Sequence, residues 1–247
     1  MRALALAVVI AAAPVAAADA PDGREIIAKA YAAAGGDVWA QARTLVLHGQ
    51  ATFYSPDAAA PKSTVDDYKM WRILEADRVS AHGEAGKVRI DGRDKGRLIF
   101  QSASDGEVTW TQNGVVPKAQ ADAFWASNFG FGVIRHALKP GFTLTRVPDS
   151  NVDGHPTYMV RVTDPSGTST LFGIDKASSL IRMVGFATPR GWHVRHYDDF
   201  DVKPGWTQAR KVTLYYNGVK QNELVWTRWS VNGPVDEALF RSTNAGK

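Results

Sequence analysis

The sequence contains no cysteine. This absence excludes disulfide bonds, thiol nucleophiles and zinc–thiolate sites, and it excludes a lipoprotein anchored through an acylated cysteine. An exported protein without disulfides must be stabilised by its hydrophobic core alone. With 45% hydrophobic and 22% charged residues, the chain has the composition of an ordinary globular protein, so a sizeable core is available to it.

The sequence also lacks an internal apolar run of the about 18 residues that a membrane-spanning helix needs. The apolar stretch at 3–13 follows one positive charge and ends at a proline and small residues, which is typical of a secretory signal peptide. An A-x-A site at Ala16 and Ala18 predicts a signal peptide at 1–18 and a folded domain at 19–247. The alternative is an N-terminal membrane anchor. We expect an exported protein that does not span the membrane.

Strong charge of either sign is absent. The formal net charge is +4, and the basic residues neither form a block nor alternate with aromatic residues. Nucleic acid is therefore not an expected partner.

Catalytic signatures are missing as well. The sequence has no P-loop, no dinucleotide-binding glycine pattern, no H-E-x-x-H and no G-x-S-x-G. The nearest approach is "WHVRHYDDFD" at 192–201, where His193 and His196 are three residues apart. On a strand, these two rings point to opposite faces. We expect no catalytic residues, no metal and no cofactor, and keep a metal or hydrolase site at 192–201 as an alternative.

Helical periodicity is clear near the N-terminus. In "REIIAKAYAAAGG", Ile26, Ile27, Ala30 and Tyr31 share one face, and the Gly-Gly pair at the end is a stop signal. The spacing predicts one amphipathic helix over 23–34.

Alternation with a period of two dominates the rest of the chain. It begins with "TLVLHGQATFY" after Arg43, and "SPDAAAPKS" at 55–63 is predicted to be a surface loop. Further strand-like runs lie at 65–75, 78–84, 86–91 and 96–104. The pattern predicts a mainly β protein with a single antiparallel sheet of about ten or eleven strands, which will curl and leave a concave apolar face.

The clearest hairpin signal is Asn217-Gly218. A two-residue turn there pairs Tyr216 with Val219, and unbroken pairing would continue it with Leu214 opposite Gln221 and Val212 opposite Glu223. The predicted apolar face consists of Val212, Leu214, Tyr216, Val219, Val225, Trp229 and Val231. The predicted solvent-exposed face consists of Lys211, Thr213, Lys220, Asn222 and Arg228. Leu224 and Trp226 do not fit this division.

One helical insert, about 118–138, interrupts the β pattern. Its part "FWASNFGFGVIRHALKPG" is rich in aromatic residues and is broken by Gly130 and Gly132. Two interpretations stay open: a movable lid over the concave face, or a helix fixed in the core.

The order of these elements resembles the periplasmic outer-membrane lipoprotein carriers, the LolA-like superfamily. The resemblance rests on "SDGEVTW" at Ser104–Trp110 just before the insert, and on the closing segments at 172–186, 197–218 and 229–240. It covers roughly residues 23–240. One departure concerns 72–84, "RILEADRVSAHGE", which lacks the Arg-Pro whose arginine helps latch the lid in those carriers, so no latch residue is transferred.

The resemblance implies a half-barrel whose mouth is closed by helices and whose cavity holds acyl chains of a lipid or lipoprotein. The main hypothesis is therefore a monomeric periplasmic carrier or sensor of an apolar ligand or lipid-modified protein. The second is a docking platform for an envelope protein. The predicted ligand-binding residues are Trp110, Phe124, Trp125, Phe129, Phe131 and Ile134.

Overall fold

The computed structural model describes residues 20–55, 61–75, 86–126 and 131–241, so the predicted signal peptide lies outside the described residues. Within these ranges there are three α-helices and thirteen strands. The helices are α1 (Gly23–Ala34), α2 (Gly36–Ala40) and α3 (Lys118–Ala126). The strands are β1 (Thr44–Tyr54), β2 (Pro61–Ile73), β3 (Lys87–Asp94), β4 (Arg97–Ser104), β5 (Thr109–Thr111), β6 (Gly114–Val115), β7 (Thr143–Val152), β8 (His155–Thr163), β9 (Ser169–Asp175), β10 (Ile181–Thr188), β11 (Gly191–Lys203), β12 (Trp206–Tyr216) and β13 (Val219–Val231). Two short 3-10 helices lie at Phe131–His136 and Glu237–Phe240.

All the described strands form one antiparallel sheet, which is curled and unclosed. Its order is β6-β5-β4-β3-β2-β1-β13-β12-β11-β10-β9-β8-β7. The predicted half-barrel is confirmed, with thirteen strands instead of ten or eleven. Strands β1 to β6 follow one another from the middle of the sheet to one edge. Strands β7 to β13 follow one another from the opposite edge back to the middle, where β13 pairs with β1. Strands β6 and β7 lie at opposite edges of the sheet, and the helical insert lies between them in sequence. The described parts of the insert, α3 and the 3-10 helix at Phe131–His136, both pack on residues of the sheet.

The predicted first helix is confirmed as α1. The Asp22 side chain caps it by accepting a hydrogen bond from the Glu25 backbone N–H at 2.8 Å, and Gly35 ends it at a φ of 128°. Its apolar face, which includes Ile26 and Ile27, is buried against β7, β8, β9 and β12. The face of the sheet that α1 covers is called the inner face here, and the opposite one the outer face.

One predicted loop boundary differs in the structure, and one predicted strand cannot be compared with it. The loop predicted over 55–63 is shorter at its C-terminal end, since β2 already begins at Pro61. The run at 78–84 lies outside the described residues. Pro61 is tolerated as the first residue of a strand, where its missing N–H costs no interior ladder bond.

The hairpin at Asn217-Gly218 forms as predicted, but its register does not continue as predicted. Tyr216 pairs with Val219, whereas Leu214 pairs with Asn222 and Val212 with Leu224, because the ladder shifts between Leu214 and Tyr215. The predicted partners Gln221 and Glu223 were wrong by one residue. A shift of one residue turns the following side chains to the other face.

Gly49 lies at a second register shift, between β1 and β13. A Cβ built at Gly49 would overlap the backbone carbonyl of Val225 and approach the Cα of Trp226 at 2.9 Å. Because these contacts are backbone atoms, no rotamer change can relieve them. We expect Gly49→Ala to lower the free energy of unfolding by about 1–3 kcal/mol, measured by urea denaturation.

The control for this prediction is Gln50→Ala, at an exposed position of the same strand, which should change stability by no more than about 0.5 kcal/mol. If Gly49→Ala were as mild as Gln50→Ala, the close approach of β13 to β1 at this point would be wrong.

Among the described residues, no helix is long and apolar enough to cross a bilayer. The main core lies on the inner face, between the sheet, α1 and the 3-10 helix at Phe131–His136. Val133, Ile134 and Ala137 are completely or almost completely buried in it.

Candidate functional site

A cavity of about 260 Å³ lies on the inner face of the sheet. It is near the lower end of the roughly 300–1,000 Å³ typical of small-molecule sites. Both halves of the sheet contribute to it, as do α2, α3 and the 3-10 helix at Phe131–His136. Its apolar wall consists of Ala34, Trp39, Leu45, Leu47, Tyr68, Met70, Leu74, Ile90, Phe124, Trp125, Leu180, Ile181, Tyr197, Phe200, Trp206, Ala209, Val212, Leu214, Leu224 and Trp226.

Tyr68 is the centre of an aromatic cluster at this wall. Its ring centroid lies 5.4 Å from that of Trp226 and 5.9 Å from that of Phe100, and Phe100 in turn meets Phe53 edge-on at 5.8 Å. Burial raises the pKa of the Tyr68 phenol to about 12, against the opposing effect of the positive charge of Arg195. The hydroxyl is thus neutral at physiological pH, and the wall is suited to an apolar chain.

The polar lining of the cavity is rich in arginine. Arg72 comes from β2, Arg135 from the 3-10 helix and Arg195 from β11. Arg135 contacts two tryptophans. Its guanidinium carbon lies 5.1 Å from the centroid of the Trp39 ring and 5.4 Å from that of the Trp206 ring.

These arginines are not among the site residues predicted from the sequence. A signal exists for Arg72, which continues the inward alternation of Tyr68 and Met70 at intervals of two residues. The same rule places Arg195 between His193 and Tyr197. Arg135 carries no such signal, because the contact of its helix with two distant tryptophans depends on the tertiary fold.

Two of the predicted ligand-binding residues do line the cavity. Phe124 and Trp125 are neighbours in α3, with ring centroids 4.6 Å apart. Trp125 is 2% exposed and its indole N–H donates to Thr109 Oγ1 at 2.7 Å, whereas Phe124 is 42% exposed. Trp125 therefore anchors α3 to β5, and Phe124 lies at the boundary between cavity and solvent.

The other predicted residues are placed differently. Trp110 is buried on the outer face, where its indole N–H donates to the Phe240 carbonyl at 2.9 Å, so it does not line the cavity. Ile134 belongs to the main core and is not a lining residue either. Phe129 and the side chain of Phe131 lie outside the described part of the chain.

The segment 192–201 forms part of β11, and its two histidines lie on opposite faces, as expected for a strand. His193 is fully buried on the inner side and stacks on Phe186 at 4.4 Å. His196 pairs with Asp153, with Nδ1 2.8 Å from Oδ2. In the described ranges, no three His, Asp or Glu side chains are grouped to hold a metal ion.

Neither a family model nor a curated protein matches the sequence. Solved structures share its fold. They include an outer membrane lipoprotein-sorting protein domain from Vibrio parahaemolyticus (13% identity, TM-score 0.55, covering 88% of this chain and 95% of that one), a LolA superfamily protein from Nitrosomonas europaea (10%, 0.52, 90% and 99%) and a DUF1329 family protein from Desulfovibrio piger (10%, 0.57, 89% and 95%). The LolA-type fold that the sequence motifs suggested is thereby confirmed.

Proposed function

We propose that this protein, which has the LolA-type half-barrel fold, is an exported periplasmic carrier or sensor that binds an acyl chain in its inner cavity. The observation that carries the proposal is the cavity itself: an aromatic and aliphatic wall on the inner face, covered by a short helix. Apolar cavities with few polar groups suit lipid-like ligands. The named lipoprotein-sorting domain and LolA superfamily protein support this function by analogy of fold.

The insert divides into a fixed part and a part that can act as a lid. Its second half is fixed, because Val133, Ile134 and Ala137 are buried in the main core. Its first half, α3, buries Ala121 and Trp125 against Val88 in a small separate cluster. Fewer buried apolar contacts mean a lower cost of local opening. We propose that each interpretation of the insert applies to one half, and that α3 opens to admit the ligand.

Binding should be tested with saturated fatty acids of increasing length, monitored by fluorescence of the tryptophans in the cavity wall. Each methylene that enters the cavity contributes roughly 0.8 kcal/mol, about a fourfold decrease in Kd. We expect the affinity to rise with chain length at about this rate and to level off once the cavity is full.

Phe124→Ala is the variant that separates ligand binding from folding. Because Phe124 is half exposed, its removal should cost at most about 0.5 kcal/mol in stability. Loss of the contact between Phe124 and the acyl chain of the ligand should weaken binding by about 1 kcal/mol, which raises Kd roughly fivefold.

The matched control is Val115→Ala, an exposed apolar residue that does not line the cavity and should leave the affinity unchanged. If no fatty acid binds at any length, the carrier proposal is wrong, and capture of an envelope protein by the ligand-free chain would then favour the docking platform.

A further inference from the structure

A second depression lies on the outer face of the sheet, away from the inner cavity. It is an open groove of about 400 Å³, lined by Arg161, Gly167, Thr168, Ser169, Leu171, Ala187 and Trp192. None of these residues lines the inner cavity. Leu171 identifies the face, because it packs against a small cluster that includes Met159 and Met183, whereas its neighbour Phe172 is buried in the main core.

Trp192 forms one side of this outer groove and is held in place although it is exposed. Its backbone N–H donates to Asn217 Oδ1 at 2.8 Å, and its carbonyl accepts from the Asn217 N–H at 2.9 Å. The indole reaches from β11 over β10, since a Cβ built at Gly185 would lie 2.9 Å from Trp192 Cζ2. The ring is thus supported from below by β10, and the residue is still 41% exposed.

Arg161 brings a positive charge to the opposite side of the outer groove. It lies on β8, where it pairs with Leu171 of β9, and Leu171 pairs in turn with Gly185 of β10. Neighbouring strands are about 4.8 Å apart, so the backbone of Arg161 is about 10 Å from the strand that the indole covers. Arg161 is exposed, its side chain forms no ion pair with any described residue, and no Asp or Glu lines the groove. The groove therefore presents a cation that a ligand can neutralise.

Hydroxyl groups line the end of the groove between these two side chains. Ser169 Oγ lies 2.8 Å from Thr163 Oγ1, and Thr168 Oγ1 lies 3.2 Å from Ser166 Oγ. In each pair either hydroxyl can be the donor. Because a hydroxyl is both a donor and an acceptor, such a pair can reorient to bond a ligand hydroxyl of either polarity.

We propose that the outer groove binds an acidic saccharide, with a sugar ring on the Trp192 indole and its carboxylate on Arg161. A pyranose ring has an apolar C–H face, and the electron-rich face of an indole attracts C–H groups. A guanidinium receives a carboxylate through two parallel charge-assisted hydrogen bonds. The hydroxyls of Thr168 and Ser169 bond the hydroxyls at the edge of the ring. This function is additional to acyl-chain binding and does not depend on it, because the two sites lie on opposite faces of the sheet.

Binding at this site is measured by ¹⁹F NMR of the protein labelled with 5-fluorotryptophan. Loss of one resonance in Trp192→Phe assigns the signal of Trp192. The probes are D-glucuronate and D-galacturonate, their neutral counterparts D-glucose and D-galactose, and acetate as a carboxylate without a sugar. We expect at least one uronate to shift the Trp192 resonance with a Kd about fivefold or more below that of its neutral counterpart. Acetate should leave this resonance unchanged.

Arg161→Gln tests the role of the cation. It should raise the Kd for the uronate about fivefold, to the value of the neutral sugar, and leave the Kd for the neutral sugar unchanged. The matched control is Arg97→Gln, which alters an exposed arginine that lines neither the groove nor the inner cavity and should change neither value. Thermal melting checks that both variants fold, as expected for substitutions at exposed positions.

Failure of both uronates to shift the Trp192 resonance would overturn the saccharide proposal. Equal Kd values for the uronates and the neutral sugars, or an equal effect of acetate, would overturn it too, because the ring and the carboxylate would not act together. The same conclusion follows if Arg161→Gln behaves like Arg97→Gln. The fatty-acid titrations report on the inner cavity, so either proposal can fail without the other.

Discussion

Asp91→Ala should lower the free energy of unfolding by about 3–5 kcal/mol. Asp91 is a 5% exposed carboxylate on the outer face, and both of its oxygens accept hydrogen bonds from Arg89, from Nε and from Nη2, each at 2.8 Å. Removing it leaves a guanidinium with 16% side-chain exposure and no carboxylate beside it. Breaking one side of a shielded ion pair is costly for this reason, whatever the net contribution of the intact pair.

The same pair holds the C-terminal segment against the sheet. Arg89 Nη1 donates to the Leu239 carbonyl at 3.1 Å, and the guanidinium carbon lies 5.7 Å from the Trp71 ring and 5.5 Å from the Trp110 ring. Trp110 donates in turn to Phe240, whose side chain is fully buried. We therefore assign Trp110 to this outer-face network.

Chemical denaturation of Asp91→Ala should be compared with Asp122→Asn. The Asp122 carboxylate pairs with Lys118 at 2.8 Å, but both side chains are largely exposed, so its loss should cost less than about 1 kcal/mol. Similar small losses in the two variants would mean that the outer-face network does not hold the C-terminal segment.

Local signals in the sequence were sufficient for the elements that depend on neighbouring residues. Helix α1 is bounded by a capping Asp22 and by Gly35, and both are adjacent to the helix in sequence. The hairpin turn places Asn217 at a φ of 49° and Gly218 at 79°, the left-handed pair of a type I′ turn. Such features need no information from distant parts of the chain.

The site could be predicted only in part, because it depends on a long-range pairing. Strand β1 pairs with β13, and no short sequence motif predicts that pairing. It is this pairing that joins the two halves of the sheet and brings Arg72 and Arg195 to one cavity. The position of Phe124 and Trp125 at the cavity could be predicted because a run of aromatic residues in a helical insert can be recognised locally. Ile134, which belongs to the same predicted set, lies in the main core instead. The reason is that the insert forms two separate elements, α3 and the 3-10 helix that contains Ile134.

The two faces of β13 show where strict alternation failed. Leu224 and Trp226 were exceptions to the predicted division, and the structure explains them by two one-residue register shifts. The first, near the turn, brings Asn222 and Leu224 into the cavity lining and leaves Val225 39% exposed. The second, opposite Gly49, restores the original parity. Arg228 is accordingly exposed, as predicted, and Trp229 packs against the main core.

Trp226→Ala should accordingly cost about 3–5 kcal/mol, the typical loss for truncating a buried tryptophan. Trp226 is 3% exposed and packs on Tyr68, so its removal opens a void next to the existing cavity. The size of the loss within this range depends on how far the wall can collapse into that void. Urea denaturation of the ligand-free protein measures it without a contribution from bound lipid.

Val225→Ala is the control that decides the register, because unbroken alternation and the observed bulges make opposite predictions for this pair of neighbours. With the bulges, Val225 is half exposed and its truncation should cost no more than about 0.5 kcal/mol. Unbroken alternation from the turn would bury Val225 and expose Trp226, and a slip of one residue exchanges every side chain between faces. A large loss at Val225 together with a small one at Trp226 would therefore show that β13 runs without the first bulge and that the cavity wall is built from the other face of the strand.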